Sequence, residues 1–191
     1  PALPSDPVAA ARQVVGAQLQ ALPCSWLDIT DAQAKDGAVA LTLRGVSGES
    51  AQSLDRIEGA LAKAGLKAGA IDFSDVSPVS ANMCRPIEAF LKVRAQGSTR
   101  LEVAQRKFEM NVLPADAGAD AGRLGAQATF TVNLAGLGDE MTLVGLDEAG
   151  EMQQMATSKA EIEQNAQALG NGSYRFTLNT THSGWSGILV L

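Results

Sequence analysis

Histidine occurs once, cysteine twice, and aromatic residues make up only 4% of this 191-residue chain. One imidazole and two thiols are too few for most zinc sites, and they give a Ser-His-Asp arrangement little to build on. Basic residues are outnumbered 15 to 21, for a net charge of -6. Binding nucleic acid without sequence preference needs a Lys/Arg footprint to displace counterions from phosphates, so no nucleic-acid partner is expected. No apolar run approaches the ~20 residues that a membrane-crossing helix needs. There is no Gly-x-Gly-x-x-Gly loop, no His-Arg-Asp and no Asp-Phe-Gly. ATP transfer of the protein-kinase kind is therefore excluded for these residues. No cofactor is expected.

What is present is hydrophobic patterning, at 46% of residues. The chain opens on Pro1, with Pro4 and Pro7 close behind, and residues 1–6 read as a linker rather than a signal peptide, which would carry an apolar run. A start on proline leads us to expect a processed or excised segment. Asp6 is suited to an N-cap and Pro7 to a first helical turn; Val8, Ala11, Val15, Leu19 and Leu22 then recur at helical spacing. These predict a helix over 7–22, stopped by Pro23. Residues 26–30 alternate with period two. After a polar turn at 32–37, Val39, Leu41 and Leu43 alternate again, which predicts a β-hairpin covered on one side. A helix is expected from Ser50, with Leu54, Ile57, Leu61 and Ala64 on one stripe and Gly65 just past its end. A strand over 70–76 and a third helix over 80–94, carrying Met83, Ile87, Phe90 and Leu91, complete the first half.

Gly97 and Ser98 mark a change of character. Strands are expected at 101–112, 128–134, 141–146, 152–155, 174–179 and 188–191, with a flexible loop at 115–125 and a short helix at 159–169. Turns rich in Gly, Asn and Asp suit short antiparallel strands in a β-sandwich. Residues 1–96 hold nine basic and ten acidic side chains, and residues 97–191 hold six and eleven, so the acid excess belongs to the second half. The expected class is α+β, with an αββαβ(α) domain over 7–96 and an antiparallel β-sandwich domain over 97–191.

The stretch DITDAQAKDGAVALTLRGVSG, followed by SLDRIEGALAKAG and GAIDFSDV, resembles the BON domain of bacterial envelope proteins. Leu43, Arg44 and Gly45 match the L-x-G turn that ends that family's second strand. The phrases LPCSWLDI and MCRPIEAFLKVR are similar to the C-terminal tails of bacterial membrane-anchored serine/threonine kinases and related envelope proteins. In those tails PC-x-x-L and a later C-x-x-(I/L)-x-x-(F/L) flank a BON-like fold, and a β-rich DUF4384-type module often follows. The resemblance implies a periplasmic or extracytoplasmic region tethered through an upstream membrane anchor, with an envelope component or a protein as partner.

The cysteines are the sharpest chemical feature. Cys24 stands where the first helix hands over to the first strand, and Cys84 stands at the start of the third helix. A disulfide between them would stabilise by about 4 kcal/mol through loop closure and would point to an oxidising compartment. The other reading is two buried thiols. His182, in THSGWSG, is a candidate ligand contact or pH sensor, or a plain loop imidazole. Trp185 and Trp26 are further candidate partner contacts, with core packing the alternative for Trp185. Asp139, Glu140, Asp147 and Glu148 crowd two loops and form a weak Ca²⁺ candidate; without the alternating EF-hand spacing, solvated hairpin turns are the favoured reading. Asn171-Gly172 is first of all a hairpin-turn signal.

Three functions fit. The first is a non-catalytic extracytoplasmic sensor or interaction region. The second is a structural periplasmic spacer or oligomerisation module. The third is a hydrolase working through the acidic loops or His182.

Overall fold

The computed structural model describes residues 5–92, 100–105 and 107–190. The first four linker residues, the end of the expected third helix at 93–94, the seam at Gly97 and Ser98, Arg106 and Leu191 lie outside the described residues. The fold is α+β, with four α-helices among the described residues. The chain divides into two compact units: Pro1–Arg94 with Glu148–Gly150, and Ala95–Asp147 with Glu151–Leu191. Among the described residues no helix is long and apolar enough to cross a membrane.

In the first unit, helix α1 spans Pro7–Leu19. The Asp6 carboxylate caps it by accepting from the amides of Val8 and Ala9 at 3.2 and 3.1 Å. The helix stops three residues short of the sequence expectation. Proline disfavours the α conformation in the residue before it, so Leu22, ahead of Pro23, leaves the helix yet stays buried. Strands β1 (Ser25–Lys35) and β2 (Ala38–Ser47) pair antiparallel. Asp36 and Gly37 both adopt positive φ, 52° and 72°, the two-residue geometry whose twist suits a hairpin. Such a turn consumes only two residues, so the ladder runs on to Lys35 and Ala38 through the segment expected to be a polar turn.

Helix α2 (Ser50–Lys63) follows. Its end is a Schellman motif: Gly65, at φ 73°, donates to the Ala62 carbonyl while Leu66 donates to that of Leu61. Strand β3 (Ala68–Pro78) then pairs parallel with β2, giving the sheet order β1-β2-β3. A 3₁₀ turn at Ala81–Met83 leads into α3 (Cys84–Leu91). Pro86 has no N–H to offer the Asn82 carbonyl, which accounts for the tightened turn where a regular helix was expected. Ala11, Val15 and Leu19 of α1 and Ile57 and Leu61 of α2 pack on Leu27, Val39, Leu41 and Leu43, so both helices cover the same face of the sheet.

In the second unit every strand pairing is antiparallel. One sheet holds β4 (Leu101–Val103), β6 (Leu124–Asn133), β10 (Ser173–Thr180) and β9 (Gln167–Gly170), with β5 (Asn111–Val112) also beside β6. The other orders β11 (Gly187–Val190), β7 (Leu143–Leu146) and β8 (Met152–Ala156). Phe130, Val132 and Phe176 of the first sheet share a core with Leu143 and Ala156 of the second and with Ile162 of helix α4 (Lys159–Asn165). Phe130 and Phe176 are register partners whose rings stack at 5.1 Å.

Three expectations change here. The strand expected over 101–112 is broken into two: Val103 faces Phe130 and Asn111 faces Gly125, and β4 ends at Val103 while β5 begins only at Asn111. The loop expected to be flexible at 115–125 is a closed turn. Leu113 and Arg123 are joined by one backbone hydrogen bond and Gly122 and Leu113 by another, around a 3₁₀ turn at Gly118–Asp120, and β6 already begins at Leu124. The helix expected over 159–169 ends at Asn165, because Asn171 and Gly172, at φ 51° and 73°, form a hairpin turn that draws β9 onto β10.

Leu43 is fully buried between the helices and the sheet, whereas Val112 is 72% exposed. Leu43→Ala is expected to lower unfolding free energy by about 2–5 kcal/mol, and Val112→Ala to change it by less than about 0.5 kcal/mol. Urea titration of the two variants measures both.

Candidate functional site

The most constrained place in the first unit is the point where β1 begins. Cys24 and Cys84 form a disulfide across a sequence separation of 60, tying the start of β1 to the first residue of α3. Neither cysteine is free. Loop closure of this length stabilises by about 4 kcal/mol in the chain-entropy treatment. Cys24 is buried, and its backbone lies in the left-handed region at φ 48°, which a non-glycine residue adopts only when its surroundings impose it. Beside the disulfide, two hydrogen bonds hold it there. The Cys24 amide donates to Glu88 Oε1 of α3 at 3.2 Å, and the Cys24 carbonyl accepts from the Gly48 amide at 2.9 Å.

Gly48 is required by space. A Cβ there would lie 2.6 Å from Cys24 Sγ, and the bonded sulfur has no freedom to retreat. Beneath the disulfide, Ser25, Ser47 and Ser53 are all buried and close a hydroxyl triangle with edges of 2.9, 3.1 and 3.3 Å. The Ser25 hydroxyl donates its one proton to the Pro23 carbonyl and so acts as acceptor within the triangle, and Ser47 Oγ accepts from the Glu49 amide. Three polar side chains thus enter the interior with their hydrogen bonds made, as buried polar groups require. They join the start of β1, the end of β2 and the first turn of α2. Sequence reading missed this cluster. Its one sequence signal is a serine beside each of Cys24 and Gly48, and that becomes legible only once Ser25 and Ser47 are known to be register partners.

The other residues singled out from sequence are dispersed. Trp26 is half-buried on β1, opposite Val46, and belongs to the first unit. His182 and Trp185 belong to the second, in the segment joining β10 to β11. His182 is exposed, with Nε2 3.1 Å from Ser186 Oγ. The Thr180 hydroxyl lies 3.2 Å from Nδ1 and 3.4 Å from Nε2, so it does not fix which nitrogen carries the proton. Trp185 is half-buried and lays its ring against Gly187, a packing role within its own segment. Asp147 closes the turn between β7 and β8 by accepting from the Glu151 amide at 2.9 Å. Among the described residues no group of three or more His, Cys, Asp or Glu side chains is placed to hold a metal ion, and Asp139, Glu140, Asp147 and Glu148 form no such group.

Two carboxylates have pKa values held below the ordinary range by local hydrogen bonds. Asp72 accepts from the Ser74 amide on the edge strand β3, and Glu161 accepts from the amide and hydroxyl of Thr157 ahead of α4. The Tyr174 hydroxyl is held above its usual value because it donates to Glu163. The chain matches no protein family, no curated protein and no solved structure.

Gly48→Ala is expected to cost about 1–3 kcal/mol by forcing a methyl against Cys24 Sγ. The cost is expected to shrink when the same change is made in a Cys24→Ser, Cys84→Ser background, and urea unfolding of the four proteins measures the coupling. Glu161 provides a pH test. Its folded pKa is lowered, so its contribution to stability is complete above the unfolded value and is lost as pH falls through the folded one. Its carboxyl carbon is expected to titrate with a midpoint below 4.5 by NMR, and Glu161→Gln is expected to remove that part of the acid sensitivity.

Proposed function

We propose that the chain is a non-catalytic extracytoplasmic sensor or interaction region, the C-terminal part of a bacterial membrane-anchored protein of the serine/threonine-kinase or related envelope class. The carrying observation is the Cys24–Cys84 disulfide. Disulfides of this kind form and persist in oxidising compartments and are rare in the cytosol, which supports a periplasmic or extracellular location. The order α1-β1-β2-α2-β3, with both helices on one face of a three-stranded sheet, supports a BON-like first domain. Two antiparallel sheets contributing to one core support a β-sandwich as the second.

In this reading the first domain meets its partner through the sheet face turned away from α1 and α2. Trp26, Asp28, Thr42 and Arg44 alternate there with the core residues of β1 and β2. The face carries both charge signs and one large aromatic, a composition suited to an envelope component or a protein surface.

The test is made in the bacterium that produces the protein. Intact cells are treated with a membrane-impermeant maleimide, with and without prior reduction, and the protein is then recovered under denaturing conditions. Both cysteines are expected to label only after reduction, and the chain is expected to be cut by protease added outside the inner membrane. Free thiols together with protease protection would contradict the location and, with it, the proposed role.

A further inference from the structure

We infer that the Cys24–Cys84 disulfide, besides stabilising the first unit, is a reducible clasp on α3, so that a dithiol reductant releases α3 while the αββαβ core, though less stable, stays folded. The inference adds regulation to the extracytoplasmic reading and rests on it only for the compartment in which the reductant acts.

The division of the interior comes first. The main hydrophobic cluster draws on α1, α2 and all three strands and contains no residue of α3. Helix α3 is eight residues long, below the length at which an isolated helix is stable in water, so it depends on its attachments. Among the described residues those attachments include the disulfide at its first residue, the Glu88 carboxylate on the Cys24 amide, and the buried side chains of Met83 just before it and Ile87 within it. The first two both end on Cys24.

Cys24 is also where the backbone resists. Its left-handed φ is imposed by the disulfide, the Glu88 contact and the Gly48 bond together. With the disulfide gone, relaxation of Cys24 turns its amide away from Glu88 as well, and the two attachments fail together. The sulfurs differ in access. Cys24 is 4% exposed and has Gly48 against it, while Cys84 is half-buried. A reductant's thiolate therefore reaches Cys84 Sγ, forms a mixed disulfide there and expels Cys24 as the thiolate, which takes up a proton. The reductant's second thiol then attacks its own sulfur in the mixed disulfide, and Cys84 leaves in turn. The protein gains two electrons and two protons, and the dithiol becomes a cyclic or intramolecular disulfide. Strained or accessible disulfides are the labile ones in general, and this one is strained at Cys24 while Cys84 is the less buried of the pair.

The experiment uses the full chain without denaturant. Incubation with glutathione and quenching in acid is expected to trap the adduct on Cys84, located by peptide mass spectrometry. After full reduction with dithiothreitol, amides of residues 84–91 are expected to exchange at close to the rate of an unfolded chain, while those of α2 and β2 stay protected and exchange at least about tenfold more slowly than that. The Cys24→Ser, Cys84→Ser protein is expected to keep its far-ultraviolet circular dichroism and to show the same localised exchange without reductant. An adduct on Cys24, a disulfide that resists dithiothreitol until urea is added, exchange that opens across the whole unit at once, or a double variant that does not fold would each overturn the clasp. None of these outcomes bears on the compartment, which the labelling of intact cells reads separately.

Discussion

The first unit depends on what happens at Cys24. Pro23 forbids the helix from continuing, and over residues 20–24 the chain must turn from α1 into the edge strand β1. The turn is made through a left-handed cysteine, and that conformation is held from three directions: by the sulfur of Cys84, by the Glu88 carboxylate and by the Gly48 amide. Gly48 is glycine because the disulfide occupies the space of a side chain. The serine triangle lies one residue away on each strand, so polar side chains reach the interior where the backbone geometry satisfies them. Disulfide, glycine and hydroxyls form one coupled junction.

The second unit solves a comparable problem without a cross-link. Its two sheets meet over the stacked Phe130–Phe176 pair, with aliphatic neighbours from both sheets and from α4. Across β6 and β10 the alternate positions are polar and pair with each other: Gln127 with Asn179, Thr129 with Thr177, and Asn133 with Ser173. The period-two alternation of a sheet with one covered face is thus written in hydroxyls and amides on one side and aromatic or aliphatic groups on the other. Local capping secures the ends. Ser158 and Glu161 bracket the start of α4, and Asn171-Gly172 turns β9 into β10.

Much of this was legible in the sequence because the signals are local. Asp6 before Pro7, the stripe through Ile57 and Leu61 with Gly65 behind it, and the alternation of Val39, Leu41 and Leu43 each name an element and its buried face. The Cys24–Cys84 pairing was legible for a different reason: the predicted order put both cysteines at element ends. What could not be read depends on partners distant in sequence. Residues 101–112 look like one strand until pairing with β6 separates Leu101–Val103 from Asn111–Val112, and Gln167–Gly170 looks helical until a hairpin turn downstream claims it. Ser25, Ser47 and Ser53 look like surface residues, since nothing near each of them announces that three hydroxyls will satisfy one another inside. For the same reason the candidate contacts were only partly informative: Trp185 is spent on Gly187, and His182 meets two hydroxyls in an exposed segment.

The two tryptophans fall one in each unit, and this gives the most direct test of whether the junction at Cys24 governs the first unit alone. In a Trp185→Phe protein the remaining fluorescence reports the surroundings of Trp26, two residues from Cys24; in a Trp26→Phe protein it reports the second unit. Urea unfolding of each is measured with and without reductant. Reduction should move the Trp26 transition to markedly lower urea and leave the Trp185 transition in place. Equal movement of both, or movement of neither, would contradict the disulfide's place at the centre of the first unit.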